Sequence, residues 1–277
     1  MESPPSINSL SFILYSIILL FLTGSHNLVQ ARKNPISSIV SEELYHTIFL
    51  HKDDAACPAK DFYTYESFIR ATKHYPKFGR SGCSDTRKRE VAAFLAQVSH
   101  ETTGGWATAP DGPLAWGLCY KEEISPGSDY CNSTYAQWPC YPGKTYHGRG
   151  PIQLSWNFNY GPAGEALGFN ALKNPEILTN NSLVAFKTAL WFWMTERPPR
   201  PSCHDVMVGN YVPDKADLAS NRTAGFGLVT NLVNGGLECG IPNDPRVNNR
   251  IEFFKRYTSL FGVNTGPNLE CAYQKPF

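Results

Sequence analysis

A mainly α-helical domain is what this 277-residue sequence predicts, on three observations. Apolar residues recur at helical spacing in several segments, strand signals are few, and Gly, Pro and Asp crowd into one central stretch. Composition is that of a globular protein, 42% hydrophobic and 18% charged, enough to bury one large core. The formal net charge is +1 and the signs are mixed along the chain, so no nucleic-acid partner is expected.

The chain opens on SFILYSIILLFLTG, residues 11–24, an apolar run too short for a membrane span. Small residues follow at Val29-Gln30-Ala31, so residues 1–31 read as a secretory signal and 32–277 as one mature domain, free of the membrane once the signal is removed. A first helix is expected over 41–50, with Leu44, Ile48 and Phe49 near one side, and a second over 64–75. Val91, Phe94, Leu95 and Val98 stand three and four apart, which predicts a one-sided helix over 86–98, ended by Gly104-Gly105. Between Pro110 and Asn159, loops and a small β-hairpin are expected. Residues 182–195 (SLVAFKTALWFWMT) are apolar nearly all round, as in a buried central helix, and Pro198 and Pro199 stop it. A last helix is expected over 246–261.

Eight cysteines in a secreted chain should be mostly oxidised. No C-x-x-C pair occurs, which argues against a zinc ribbon. Sequons at Asn132, Asn180 and Asn221 are glycosylation candidates on the same route. The stretch SHETTGGW, residues 99–106, pairs His100 with Glu101, but a metalloprotease helix would need a second His where Gly104 stands. No metal and no cofactor are expected. Glu101 alone would read as a solvated helix-end carboxylate. A second acidic stretch, CYKEE at 119–123, follows a turn-rich approach that should fold back. Two carboxyl groups, one protonated and one ionised, are what glycosidic hydrolysis needs. These residues alone do not choose between Glu122 and Glu123. Aromatics at 13% would supply the apolar surfaces a sugar polymer stacks on.

Long ordered stretches then narrow the field: FYTYESFIRA, KREVAAFLAQVSHETTGGWATAPDG, AQWPC, GRGPIQLSWNFNYGPAG, FKTALWFWMT, TNLVNGGLECG and RIEFFKRY. From about Val40 onward the chain resembles the family 19 glycoside hydrolases, the plant endochitinases. The resemblance implies a lysozyme-like, two-lobed α-helical domain with a central cleft, a small β-hairpin and disulfide-tied loops. It implies endo-hydrolysis of β-1,4-linked N-acetylglucosamine polymers with inversion, by a secreted, apoplastic monomer acting on cell-wall chitin in defence. No hevein-type chitin-binding module is expected.

Carried over by position, Glu101 matches the general acid, Glu123 the general base and Ser155 a hydroxyl that holds the attacking water. Gln153, Asn159 and Asn234 match side chains that hydrogen-bond the sugar, and His100, Trp138 and Tyr146 match residues of the cleft. Glu238 and Arg250 match a supporting charge network, and Glu122 falls on a variable position. Pairings Cys57–Cys119, Cys131–Cys140 and Cys239–Cys271 are implied. Cys83 and Cys203 are extra, and secretion favours a fourth bridge between them over two free thiols. Two departures stand out: Phe158 replaces a family tyrosine, and Arg200 replaces a lysine near the rim. A non-catalytic, polysaccharide-binding relative is the alternative reading, although both carboxylates are present.

Overall fold

The computed structural model describes residues 35–277; the expected signal at 1–31 lies outside the described residues. Helix α1 (Pro35–Ile39) leads into α2 (Glu42–Ile48), where the Ser41 hydroxyl accepts from the Leu44 N–H and starts the helix. Thr64 does the same for α3 (Tyr65–Thr72), accepting from Ser67. Helix α4 (Ser84–Glu101) runs beyond both sequence bounds, and every residue from Glu90 to Ser99 is buried. The expectation of a one-sided helix is corrected here: small side chains at Ala92, Ala93 and Ala96 let neighbours close on all sides.

The second half continues with α5 (Asn157–Leu167), α6 (Ile177–Asn180), α7 (Ser182–Met194), α8 (Cys203–Val208), α9 (Lys215–Ala219), α10 (Phe226–Glu238) and α11 (Pro245–Leu260). Helix α4 packs along α11, and α3 against α7. One continuous apolar core runs through these helices, with Phe68, Phe94, Phe186 and Trp193 fully buried at its centre. The expected β-hairpin is reduced, among the described residues, to isolated bridges joining Glu122 to Arg149 and Arg149 to Leu154. Among those residues no helix is long and apolar enough to cross a membrane.

Disulfides join Cys57 to Cys119, Cys131 to Cys140 and Cys239 to Cys271. The fourth bridge is not formed; Cys83 and Cys203 are free. Cys83 faces solvent before α4, its sulfur 3.3 Å from Thr86 Oγ1. Cys203 begins α8 in the interior, where burial pushes its thiol up to about 12. One sulfur lies at the surface and the other in the interior, and no bond joins them.

Candidate active site

A cavity of about 540 Å³ opens where the end of α4, the 119–123 loop, the 148–156 turn, the start of α5 and the second half of α10 converge. Thr102, just past α4, organises the junction. Its carbonyl accepts from Cys119 N–H at 3.0 Å and Tyr120 N–H at 3.1 Å, and its hydroxyl accepts from Leu118 N–H at 2.8 Å. The Cys57–Cys119 disulfide passes so close to Gly104 that a Cβ there would lie 2.3 Å from Cys119 Sγ. A carbonyl of Pro113 leaves Gly105 equally bare. The glycine pair after HETT therefore serves close approach; the helix itself ends earlier, at Glu101.

Fastened in this way, the loop brings Glu123 to the same cavity as Glu101. Glu101 is the last residue of α4, with 15% of its side chain exposed. Arg250 Nη2 approaches its Oε1 to 2.6 Å, yet that oxygen receives no well-directed hydrogen bond. The guanidinium is committed elsewhere: Nε and Nη2 donate to Glu238 at 2.8 and 2.7 Å, and Nη1 donates to Gln97 at 2.7 Å. Burial raises the Glu101 pKa above the ordinary carboxylate value, and Glu238 pushes the same way, against the pull of Arg250. The negative end of the α4 dipole also disfavours a carboxylate there. For Glu238 burial opposes ionisation, but the Arg250 hydrogen bonds outweigh it and lower its pKa.

Glu123 is held differently. Tyr130 donates its hydroxyl to Oε1 at 2.8 Å, and Gly148 N–H donates to Oε2 at 3.3 Å. The Glu123 N–H donates in turn to the Gly148 carbonyl at 2.8 Å. Glu122 turns away from the cavity, with His147 Nε2 at 3.5 Å and Arg149 Nε at 3.9 Å from its carboxylate.

Ser155, Gln153, Asn159 and Asn234 all line the cavity. Ser155 donates to the Gln153 carbonyl at 2.9 Å, which leaves its lone pairs available. Gln153 donates to the Gly150 carbonyl at 2.9 Å, and Asn234 donates to Glu238 Oε1 at 2.7 Å. Asn159 is largely engaged by protein, donating to the Ser155 carbonyl at 2.9 Å and accepting from Arg197 at 3.0 Å. Arg200 lines the cavity and donates to the Phe277 carbonyl at 3.0 Å.

Three expected cleft residues lie elsewhere. Tyr146 is fully buried, accepting from Tyr141 N–H at 2.8 Å and donating to the Leu172 carbonyl at 3.1 Å. Trp138 lies flat against Gly161 and lines a second concavity. His100 is packed behind the cavity with Nδ1 2.7 Å from Asn249 Oδ1. Burial, reinforced by Arg250, lowers its pKa to about 4, so the ring is neutral. In each case helix packing claims a ring whose type alone suited a cleft.

Several cavity residues were not anticipated: Tyr130, Trp156, Asn231 and Phe277. Asn231 Oδ1 accepts from Phe277 N–H at 3.3 Å, and the Phe277 ring stacks on the Arg222 guanidinium at 3.9 Å, which straps the tail along the cleft. No spacing signal marks such a tail contact; Trp156, beside Ser155 in a turn, carried the only usable hint. Among the described residues no group of three or more His, Cys, Asp or Glu could hold a metal ion.

Comparison with known proteins supplies the family. The model of glycoside hydrolase family 19, described as chitinase class I, matches residues 39–271. Chitinase 10 of Oryza sativa subsp. japonica is 71% identical over 244 residues, covering 88% of this chain and 84% of its own length. A Hevea brasiliensis protein named inactive chitinase-like protein 1 is 54% identical over 242 residues, covering 87% of this chain and 77% of its own. The crystal structure of a class IV chitinase from Zea mays is 37% identical, with a TM-score of 0.66 over 84% of this chain and 98% of that one. With the family model spanning most of its length and such relatives beside it, this chain belongs to glycoside hydrolase family 19.

Proposed function

We propose that residues 32–277 form a secreted endochitinase that hydrolyses β-1,4-linked N-acetylglucosamine polymers with inversion, using Glu101 as acid and Glu123 as base. The observation that carries this reading is the contrast between two carboxyls on one cavity: Glu101 buried with its pKa raised, Glu123 supported by a phenol and a backbone N–H. Protonated Glu101 donates to the leaving glycosidic oxygen. Ionised Glu123 takes a proton from water as its oxygen attacks the anomeric carbon from the other face. Ser155 Oγ, with free lone pairs, accepts a hydrogen bond from that water. Gln153 and Asn234 orient the sugar. The Arg250–Glu238 pair, buried behind Glu101, limits how far the arginine stabilises the ionised acid. Degradation of wall chitin in defence is the biological role this chemistry would serve.

One comparison favours a second reading. A relative 54% identical carries the name inactive, so a protein that binds chitin without cleaving it is the alternative. Recombinant mature protein incubated with the soluble N-acetylglucosamine hexamer separates the two. Internal cleavage to shorter oligomers is expected; binding without cleavage would move the chain to the second reading.

A further inference from the structure

A second concavity, about 520 Å³, shares no lining residue with the cleft. That size falls within the range of about 300–1,000 Å³ typical of ligand sites. We propose that it is an accessory binding site for an N-acetylglucosamine polymer strand, separate from the strand being cleaved; this rests on the chitinase reading of the cleft.

The chemistry of the lining points to a neutral sugar. Trp138, Tyr141 and Phe169 supply apolar ring surfaces, and the exposed side chains of Gln137, Glu165 and Asn170 supply donors and acceptors at the edges. No lysine or arginine lines the concavity, which disfavours a phosphate or another polyanion. The Tyr141 hydroxyl accepts from Asn170 at 3.3 Å, so its own proton is available to a ligand carbonyl. The indole N–H of Trp138 also has no acceptor among the described residues, and it is a donor of the kind an acetamide oxygen would use.

The site is built to hold its shape. The Trp138 ring lies so close to α5 that a Cβ at Gly161 would meet its Cε3 at 2.2 Å. Asn157 donates to the Trp138 carbonyl at 2.7 Å, and the Cys131–Cys140 disulfide closes the same loop. The buried Tyr146 hydroxyl joins Tyr141 N–H to the Leu172 carbonyl, fixing two walls. Ring contacts lead from the cleft toward this site: Trp156 stacks on Phe158 at 5.7 Å and Phe158 on Tyr135 at 4.5 Å, while the backbone N–H of Trp138 donates to the Tyr135 carbonyl at 2.9 Å. A neighbouring chain on the same solid would meet these rings beside the site.

The test uses Tyr141→Ala and Gln137→Ala, both exposed and outside the cleft; no protein hydrogen bond to the Gln137 side chain is lost. Hydrolysis of soluble hexamer should stay within about twofold of wild type. Retention on chitin beads and the rate on insoluble chitin should fall about fivefold for Tyr141→Ala, the loss expected of one aromatic contact, and less for Gln137→Ala. Equal loss on soluble and insoluble substrate, or no loss on either, overturns the proposal. Bead retention scores it independently of catalysis. If wild type failed to cleave hexamer but the variants lost retention, the reading of the cleft would fall and the accessory site would stand.

Discussion

At the residue scale, Glu101 and Glu123 line one cavity and Glu122 does not. The acidic stretch left Glu122 and Glu123 open until the family resemblance and the fold separated them. Glu122 is 46% exposed and turned toward His147 and Arg149, whereas Glu123 accepts from Tyr130 and Gly148 inside the cavity. Glu101→Gln and Glu123→Gln should therefore each lower hexamer turnover by at least about 100-fold, the usual scale for an acid or base. Glu122→Gln should stay within about twofold. Steady-state rates on purified variants decide it; equal damage at 122 and 123 would move the base. Phe158 is a second case. Its ring lines the cavity between Tyr135 and Trp156, so Phe158→Tyr keeps the stack and adds one polar contact. One hydrogen bond, about 1 kcal/mol, corresponds to roughly a fivefold gain in turnover with an unchanged melting temperature. A lower melting point without a gain would mean that the hydroxyl is buried unpaired.

At the scale of elements, helices with a plain apolar period or a clear stop were readable. Helices α2, α3, α7 and α11 fall within a few residues of their expected bounds. Helix α5 was hidden because Gly161, Pro162 and Gly164 break the pattern; Gly161 makes room for Trp138 and Gly164 for Ala171. Helix α10 was hidden by its glycines and by the kink at Asn234 (φ −148°, ψ 34°), the residue that turns toward the cavity. The polar network inside α4 was equally unreadable, since its partners are distant in sequence. Glu90, fully buried, accepts from Gly79 N–H at 2.9 Å and Trp193 Nε1–H at 3.2 Å, with His204 Nδ1 2.6 Å away. Glu90→Ala would leave those groups unpaired in the core, and should cost roughly 3–5 kcal/mol in urea unfolding. A loss under about 1 kcal/mol would show that water replaces the carboxylate.

At the scale of the whole molecule, packing α4 and α10 against α11 places Arg250 between two glutamates and gives them opposite tendencies. Burial raises Glu101, and the charge on Glu238 raises it further while occupying the arginine. Glu238→Gln removes that charge and frees Arg250 to favour ionised Glu101. The Glu101 pKa should fall, so the alkaline limb of the kcat/KM profile should move to lower pH. An unmoved limb, or a move upward, would disconnect the pair from the acid. Glu101 and Glu123 acting with a water between base and sugar would invert the anomeric centre. The anomeric form of the first products from hexamer, followed by proton NMR within the first minutes, reads this out. The α-anomer should appear first and mutarotate to the β form; β-anomer at the outset would contradict it.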